Sequence, residues 1–336
     1  MAGAGIRGNE LRQVLHREDE LPGFEYFVRG GIMERGIYES TQQGAVTTTR
    51  IDYSGGNTEH LLFVTSDLHI DSVGCNRDWL IRDLTEAKER GAKILFFGDV
   101  FDAMQGRFDP RRSLDELRPE YRRQDYYDFV VKDVARILSP FAENILLIAP
   151  GNHETAVLKN ASVSLFDRLA YSLNMEYGGH VLNGGYGGWV RFLLSRGDQG
   201  GRLSVKVKYH HGFGGDSPVT RGVSHVSQQQ VYIKDADIVI NGHNHNAYYV
   251  PVISETVSDS GKIVFHTTHY LRTPGYKQDY GDGSTGWAVE KGMIPKPIGG
   301  AFINLKVTDN GLNKGSAKKL SCQISVQPVI HAPEFA

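Results

Sequence analysis

The chain has 336 residues, with 37 Lys and Arg against 39 Asp and Glu, so no bulk field draws the whole molecule onto nucleic acid or an anionic membrane. Forty per cent hydrophobic residues supply a core and exclude a disordered chain, and the length fits one large or two small domains. Two cysteines, Cys75 and Cys322, make no disulfide framework, and there is neither a bilayer-spanning apolar run nor a signal-like N-terminus; a reducing, cytoplasmic location without membrane contact is the expectation.

Residues 1–58 read as an N-terminal extension, with a charged stretch at 16–20 and a polar run at 40–50, compatible with short strands or a docked arm. At 61–64 a short apolar β-rich run predicts a buried strand. A helical pattern follows over 76–90, closed by Gly91 in a C′ position. Residues 94–97 predict a second buried strand, and an Arg- and Tyr-rich stretch leads into a helix ending near Leu138. Residues 145–149 predict a third strand, and 162–172 a helix. This alternation argues for a layered α/β core. Beyond it, strands are predicted at 190–194, 203–209, 238–240, 248–253 and 263–266, interrupted by one helix at 223–236. A second, more antiparallel sheet packed on the first accounts for that texture. The tail from Tyr276 is rich in Gly and Pro, then returns to strand-like runs at 301–307 and 320–326. The expected organisation is a core domain at 59–275, with a C-terminal extension, 276–336, packed on it.

Five of these strands end in short polar clusters: Asp67-Leu68-His69, Gly98-Asp99-Val100-Phe101-Asp102, Gly151-Asn152-His153-Glu154, His210-His211-Gly212 and Gly242-His243-Asn244-His245. Ligands of α/β sheets bind outside the carboxyl ends of strands, so the five can converge on one crevice. Asp, Asn and His without cysteine suit borderline and hard divalent ions. Seven or so donors exceed the three plus water of a mononuclear catalytic ion, and suit two ions sharing a carboxylate. Such a pair, roughly 3.5–4 Å apart, can generate a hydroxide nucleophile and clamp a phosphoryl oxygen. Taken singly, each cluster has a plain structural reading as a turn, a helix cap or a polar loop. All five in order, each at a strand end, are not accounted for that way.

The ordered series resembles the calcineurin-like metallophosphoesterase superfamily over about residues 60–270. The resemblance implies an α/β fold, a four-layer αββα sandwich of two mixed β-sheets flanked by helices. It implies a dinuclear metal-dependent hydrolase of phosphate esters, phosphodiesters foremost, with Mn²⁺ the favoured ion and Fe, Ni and Zn compatible. By the same resemblance one ion is held by Asp67, His69, Asp99 and His245, and the other by Asp99, Asn152, a mid-chain histidine and His243. Asp99 then bridges the two and acts in catalysis. Neighbours on a strand face opposite ways, so only one of His210 and His211 faces the ions; His211 is favoured because the family ligand is often followed by glycine, with His210 the alternative. His153 would protonate the leaving alkoxide, a bridging hydroxide would attack, and Asn152 and His153 would touch the substrate phosphate. Asp102 and Glu154 would orient His69 or His153, a capping role being the alternative for each.

Three further features bear on substrate. Arg221, in the Gly-rich stretch 213–222, offers a fork to phosphate. His266 and His269 sit at another predicted strand end and can face phosphate, with a structural role the plainer reading for His266. Arg107, Arg111, Arg112, Arg118, Arg122 and Arg123, interleaved with Tyr121, Tyr126 and Tyr127, suggest single-stranded nucleic acid, but Asp109, Asp115, Glu116 and Glu120 favour a solvated, ion-paired helix face. A nuclease like the DNA-repair exonucleases is therefore one branch and a small-molecule phosphodiesterase another. Protein phosphatases of the superfamily carry an arginine where Glu154-Thr155 stands, which counts against that branch. A non-catalytic scaffold typically lacks ligands or the leaving-group histidine, and none is missing here.

Overall fold

Residues 62–65 of the strand at 58–65, and the strands at 93–97 and 145–149, are buried on both faces of the backbone, the pattern of parallel strands covered from both sides. The computed structural model describes residues 27–28, 31–32, 37–52, 57–105, 114–195, 202–215, 217, 219–280, 287–290, 292–309 and 320–332. In chain order the elements are β1 (Phe27–Val28), β2 (Gly31–Ile32), β3 (Ile37–Gln43), β4 (Val46–Asp52), β5 (Thr58–Thr65), α1 (Arg77–Glu89), β6 (Lys93–Phe97) and α2 (Tyr126–Leu138). There follow β7 (Ile145–Ala149), α3 (Asn152–Ala161), α4 (Leu165–Tyr177), β8 (Leu182–Asn183), β9 (Gly187–Ser195), β10 (Arg202–His210), α5 (Ser224–Tyr232) and β11 (Ile238–Asn241). The last are β12 (Tyr248–Val257), β13 (Ile263–Arg272), α6 (Trp287–Glu290), β14 (Ile298–Asp309) and β15 (Leu320–His331).

Two mixed sheets carry the fold. One has the order β15-β14-β5-β6-β7-β8, the other β12-β13-β11-β10-β9-β4-β3. Strands β5, β6, β7 and β8 run parallel, with β14 antiparallel beside β5 and β15 antiparallel to β14. In the second sheet β10, β11 and β13 are parallel, β12 is antiparallel to β13, and β9 is antiparallel to β10 but parallel to β4. The facing surfaces meet in one apolar layer that includes Leu62, Val64, Leu95 and Phe97 from the first sheet and Phe192, Val207 and Ile240 from the second. Helices α1, α2 and α4 cover the outer face of the first sheet through Leu84, Val134 and Leu169, and α5 covers the second through Val226. The layers are therefore helix, sheet, sheet, helix, the α/β sandwich that the resemblance implies.

Segments outside residues 59–275 are built into these sheets: β3 and β4 join the second beside β9, and β14 inserts between β15 and β5. Helix α1 begins where the spacing predicts, because the Asn76 side chain accepts the Trp79 N–H. The helix expected at 162–172 is α4, shifted to Leu165–Tyr177, and α3 before it was not expected. Ser162 adopts a left-handed backbone that ends α3, and Ser164 caps α4 by accepting the Asp167 N–H. The helix expected at 223–236 stops at Tyr232, since Ile233 turns extended. Strand β13 runs six residues beyond the expected 263–266, to Arg272. Among the described residues no helix is long and apolar enough to cross a membrane.

Candidate metal centre

The carboxyl ends of β5, β6, β7, β10 and β11 meet at one rim, and the backbone there is held out of regular conformation. Asp67, His69, Asp99, His243 and His245 all have positive φ, between 46° and 77°. A non-glycine residue in that region costs on the order of 1–3 kcal/mol and persists only where its surroundings hold it. Main-chain bonds between the strand-end loops do so: Asp67 N–H donates to Gly98 O (2.8 Å), His69 N–H to Asp99 O (3.0 Å) and Gly242 N–H to His211 O (2.7 Å). Glycine is required where loops touch. A Cβ on Gly98 would stand 2.0 Å from His211 Nδ1, and one on Gly151 would stand 2.0 Å from Asp99 Oδ1.

Three sets of donor atoms gather there, each set within 4.8 Å: Asp67, His69 and His245; Asp99, His211 and His243; and His69, Asp102 and His153. Asn152, the first residue of α3, sits against the second, its Oδ1 2.8 Å from His243 Nδ1 and 3.1 Å from His211 Nε2. His211 Nδ1–H donates to Phe97 O at 2.9 Å, which directs Nε2 toward Asn152 and toward Asp99 Oδ2, 3.1 Å away. An imidazole nitrogen thus faces two oxygen acceptors. Burial lowers the His211 pKa, but the Asp99 and Asp67 carboxylates outweigh it and raise the value to about 10. This surplus of buried negative charge is what a cation would neutralise.

The first set shows the same deficit of cations. His69 is 1 % exposed, and its Nδ1 lies 2.9 Å from Asp102 Oδ1. Neither ring nitrogen makes an aligned hydrogen bond among the described residues; Nδ1 has the close Asp102 oxygen, and Nε2 has no such neighbour. Burial pushes its pKa down to about 4, so the ring is neutral, as a ligand must be. Asp67 is fully buried; burial alone would raise its pKa, but His211 and His245 hold it at about 2. Its carboxylate accepts the His243 N–H at 2.9 Å and the Ser66 hydroxyl. An orphaned buried imidazole nitrogen, ionised buried carboxylates and an all-nitrogen-and-oxygen donor set fit divalent ions.

The residues expected at the site fall out as follows. Asp67, His69, Asp99, Asn152, His211, His243 and His245 converge, with Asp99 grouped with His211 and His243. His210 turns the other way: its Nδ1 accepts the Gly212 N–H at 3.0 Å and its ring meets Tyr186 and Phe213 edge to face. His153 Nδ1 donates to the main-chain carbonyl of Asp102, while its Nε2 lies 3.8 Å from Asp99 Oδ2. Asp102 therefore orients His69 through its carboxylate and His153 through its carbonyl. Glu154 touches neither histidine. Its carboxylate accepts the N–H groups of Gly151 (2.8 Å), Phe101 (2.9 Å) and Asp99 (3.2 Å), stapling the start of α3 to the loop after β6; helix capping is the role seen.

Other expected residues are placed as follows. Arg221 is exposed in the turn before α5, and nothing ties its guanidinium to the cluster among the described residues. His266 and His269 lie within β13 and not at its end, where they meet Ala236 O (3.1 Å) and Tyr249 (2.8 Å). The strand end holds Arg272 and Thr273 instead. Arg107, Asp109, Arg111 and Arg112 lie outside the described residues. The rest of that stretch is a short 3-10 turn at Pro119–Tyr121 and not a solvated helix face. Arg118 donates to Ser72 O (2.9 Å) and Cys75 O (2.7 Å), Arg122 to Leu117 O (3.3 Å), and Arg123 pairs with Asp125 (2.8 Å).

Three residues at the site were not singled out by the sequence. Asp71 is buried and accepts the N–H groups of Asp102 (2.6 Å) and Ala103 (3.0 Å) and the Tyr126 hydroxyl; its signal was a second aspartate two residues after His69. Tyr186 packs edge-on to His211, with ring centres 5.4 Å apart, and its hydroxyl donates to Gly212 O at 2.9 Å. Lys277 Nζ lies 3.0 Å from Asp102 Oδ1.

The family model of calcineurin-like phosphoesterases matches residues 61–247. No curated protein matches the chain significantly. Among solved structures, a Thermotoga maritima protein determined by solution NMR is 12% identical with a TM-score of 0.27, over 79% of this chain and 98% of that one. GAP50, the anchor in the inner membrane complex of Plasmodium, is 13% identical with a TM-score of 0.35, over 83% of this chain and 91% of that one.

Proposed function

Since the chain belongs to the calcineurin-like phosphoesterase family, we propose that it is a metal-dependent hydrolase of phosphate esters, acting on phosphodiesters above all. The observation that carries the reading is the convergence of Asp67, His69 and His245 with Asp99, His211 and His243 around Asn152 at one sheet rim. These residues would hold two divalent ions, with Asp99 between them. Ions bound there would activate water and offset charge on the phosphoryl oxygens.

The chain's own groups supply the rest. Asn152 presents Oδ1 toward the ion side and keeps an amide N–H₂ for a phosphoryl oxygen. His153 has its Nδ1–H engaged by Asp102 O, so its Nε2 is the nitrogen left for the leaving group. In the imidazolium form Nε2–H can hand a proton to the departing alkoxide, a contribution of about 10²–10⁴ in rate. The main-chain bond to Asp102 sets the ring plane, and the Asp102 carboxylate stands 3.9 Å from Nδ1. Small phosphodiesters are favoured over a long nucleic acid strand because Arg118 and Arg122 donate to main-chain carbonyls of the fold.

The test is turnover by the full-length protein, after chelation and reloading with Mn²⁺, on bis(p-nitrophenyl) phosphate, p-nitrophenyl phosphate, cyclic nucleotides and single-stranded DNA. The diester should be cleaved fastest. No hydrolysis of any of these with Mn²⁺, Ni²⁺, Zn²⁺ or Fe²⁺ would overturn the reading in favour of a binding scaffold.

A further inference from the structure

Lys277 lies thirty residues beyond the matched family span, which ends at 247, yet it reaches the centre. Its side chain is 13% exposed, and its Nζ stands 3.0 Å from Asp102 Oδ1 and 3.4 Å from Glu116 Oε2. Asp102 is 2 % exposed, and the same Oδ1 lies 2.9 Å from His69 Nδ1. One carboxylate oxygen is thus shared between an ammonium and the far side of a candidate ligand ring. The strand-end backbone leaves Lys277 little freedom. Tyr276 N–H donates to Asp67 O (2.9 Å), Gln278 N–H donates to Gly74 O (2.7 Å), and Lys277 bridges Cys75.

We propose that Lys277 is a positioning residue of the centre: its ammonium fixes the Asp102 carboxylate so that His69 keeps Nδ1–H engaged and offers Nε2 to the ion. The inference rests on the metal-dependent reading above. The physical reason is that a buried carboxylate without its cation reorients or draws in water, and a ligand histidine that loses the acceptor of its other N–H binds metal roughly 10- to 100-fold more weakly. Glu116, at 34% exposure, completes the pairing of Lys277 from the solvent side. No substrate contact is required of Lys277, so its loss should reach turnover through the ion.

The experiment compares wild type, Lys277→Met, Lys277→Arg, Asp102→Asn and the double variant Asp102→Asn/Lys277→Met. Mn²⁺ affinity is read by calorimetry on chelator-treated full-length protein, and kcat and KM on bis(p-nitrophenyl) phosphate. Lys277→Met should lose roughly tenfold in Mn²⁺ affinity and lose kcat with KM little changed, while Lys277→Arg restores both. In the Asp102→Asn background Lys277→Met should cost nothing further. That double variant also lacks the uncompensated buried charge, and so reports even where the single variant does not fold. Mn²⁺ affinity unchanged in Lys277→Met, or lowered equally in the Asp102→Asn background, overturns the proposal. Wild type that binds Mn²⁺ but hydrolyses no ester defeats the phosphoesterase reading alone, and the affinity arm still decides Lys277.

Discussion

His153 is held by a main-chain carbonyl, His69 by a carboxylate and His211 by a main-chain carbonyl, so three histidines of one motif series are oriented by different means. The difference matters for their tasks. His153 stands beside the donor groups through Nε2, 3.8 Å from Asp99 Oδ2, and is not needed to complete the sets around Asp67 or Asp99. His153→Ala should therefore retain Mn²⁺ binding and lose about 10²- to 10⁴-fold in kcat, whereas Asp99→Ala should lose both. Metal titration beside turnover on an aryl phosphodiester checks the pair, and full activity in Asp99→Ala would defeat the shared-carboxylate reading. The motif residues themselves were legible in the sequence, because their types and order are local. Glu154 was legible as polar but not by role, since its partners, Asp99, Phe101 and Gly151, come from two separate loops. The choice between His210 and His211 needed the strand's facing, which only the packed sheet reveals.

At the scale of elements, the N-terminal strands illustrate how a polar segment docks. Strand β4 pairs parallel with β9 and carries β3 outside it. Tyr38 of β3 then meets β5 of the other sheet, its hydroxyl 3.0 Å from His60 Nδ1, and the Lys93 ammonium of β6 stands over its ring at 5.1 Å. His60 is 6% exposed, and burial pushes its pKa from the ordinary 6.5 down to about 4. The sign follows directly. The folded chain holds His60 neutral, while the unfolded chain takes up a proton below pH 6.5, so stability is present above that value and is lost as pH falls toward 4. The loss is on the order of 3 kcal/mol at most. Urea denaturation at pH 7 and pH 4.5 should show His60→Gln losing less stability with acid than wild type does; an equal loss would show that His60 is not the titrating group. The sequence reading marked residues 40–50 as polar and compatible with strand, but held no trace of a partner across the sheet gap, because that pairing is long-range. Helix α3 escaped for a related reason: its start is secured by Glu154 bonds into another loop and not by an apolar periodicity of its own.

For the molecule as a whole, two sheets must pack face to face before either half of the centre exists. Asp67 and Asp99 come from the first sheet, His211, His243 and His245 from the second, and Asp67 accepts the His243 N–H across the junction. An ion bound between them tethers the sheets and binds only the folded chain, so it adds stability by mass action, about 2.7 kcal/mol at a hundredfold excess over Kd. Thermal melting should rise by several degrees with saturating Mn²⁺, fall back on chelation, and show no Mn²⁺ response in Asp99→Ala. A melting point indifferent to Mn²⁺ in wild type would count against a centre that spans the sheets. Without an ion the same junction carries buried, like-charged carboxylates, offset by His211 and His245 at Asp67 and by His153 and His211 at Asp99.

By itself the sequence determined the alternation of buried strands and helices, the donor types, and their placement at strand ends, since periodicity, turn chemistry and residue identity are written in neighbouring positions. Near-zero net charge already gave no bulk field for drawing the molecule onto nucleic acid or an anionic membrane. Only the tertiary structure decided that β3, β4 and β14 belong within the two sheets, and that His211 and not His210 faces Asp99. It alone brought Asp71 and Lys277 to the centre. Lys277 is 175 residues from Asp102 in sequence, and no local pattern encodes a contact of that range. The packing of one sheet upon the other creates it.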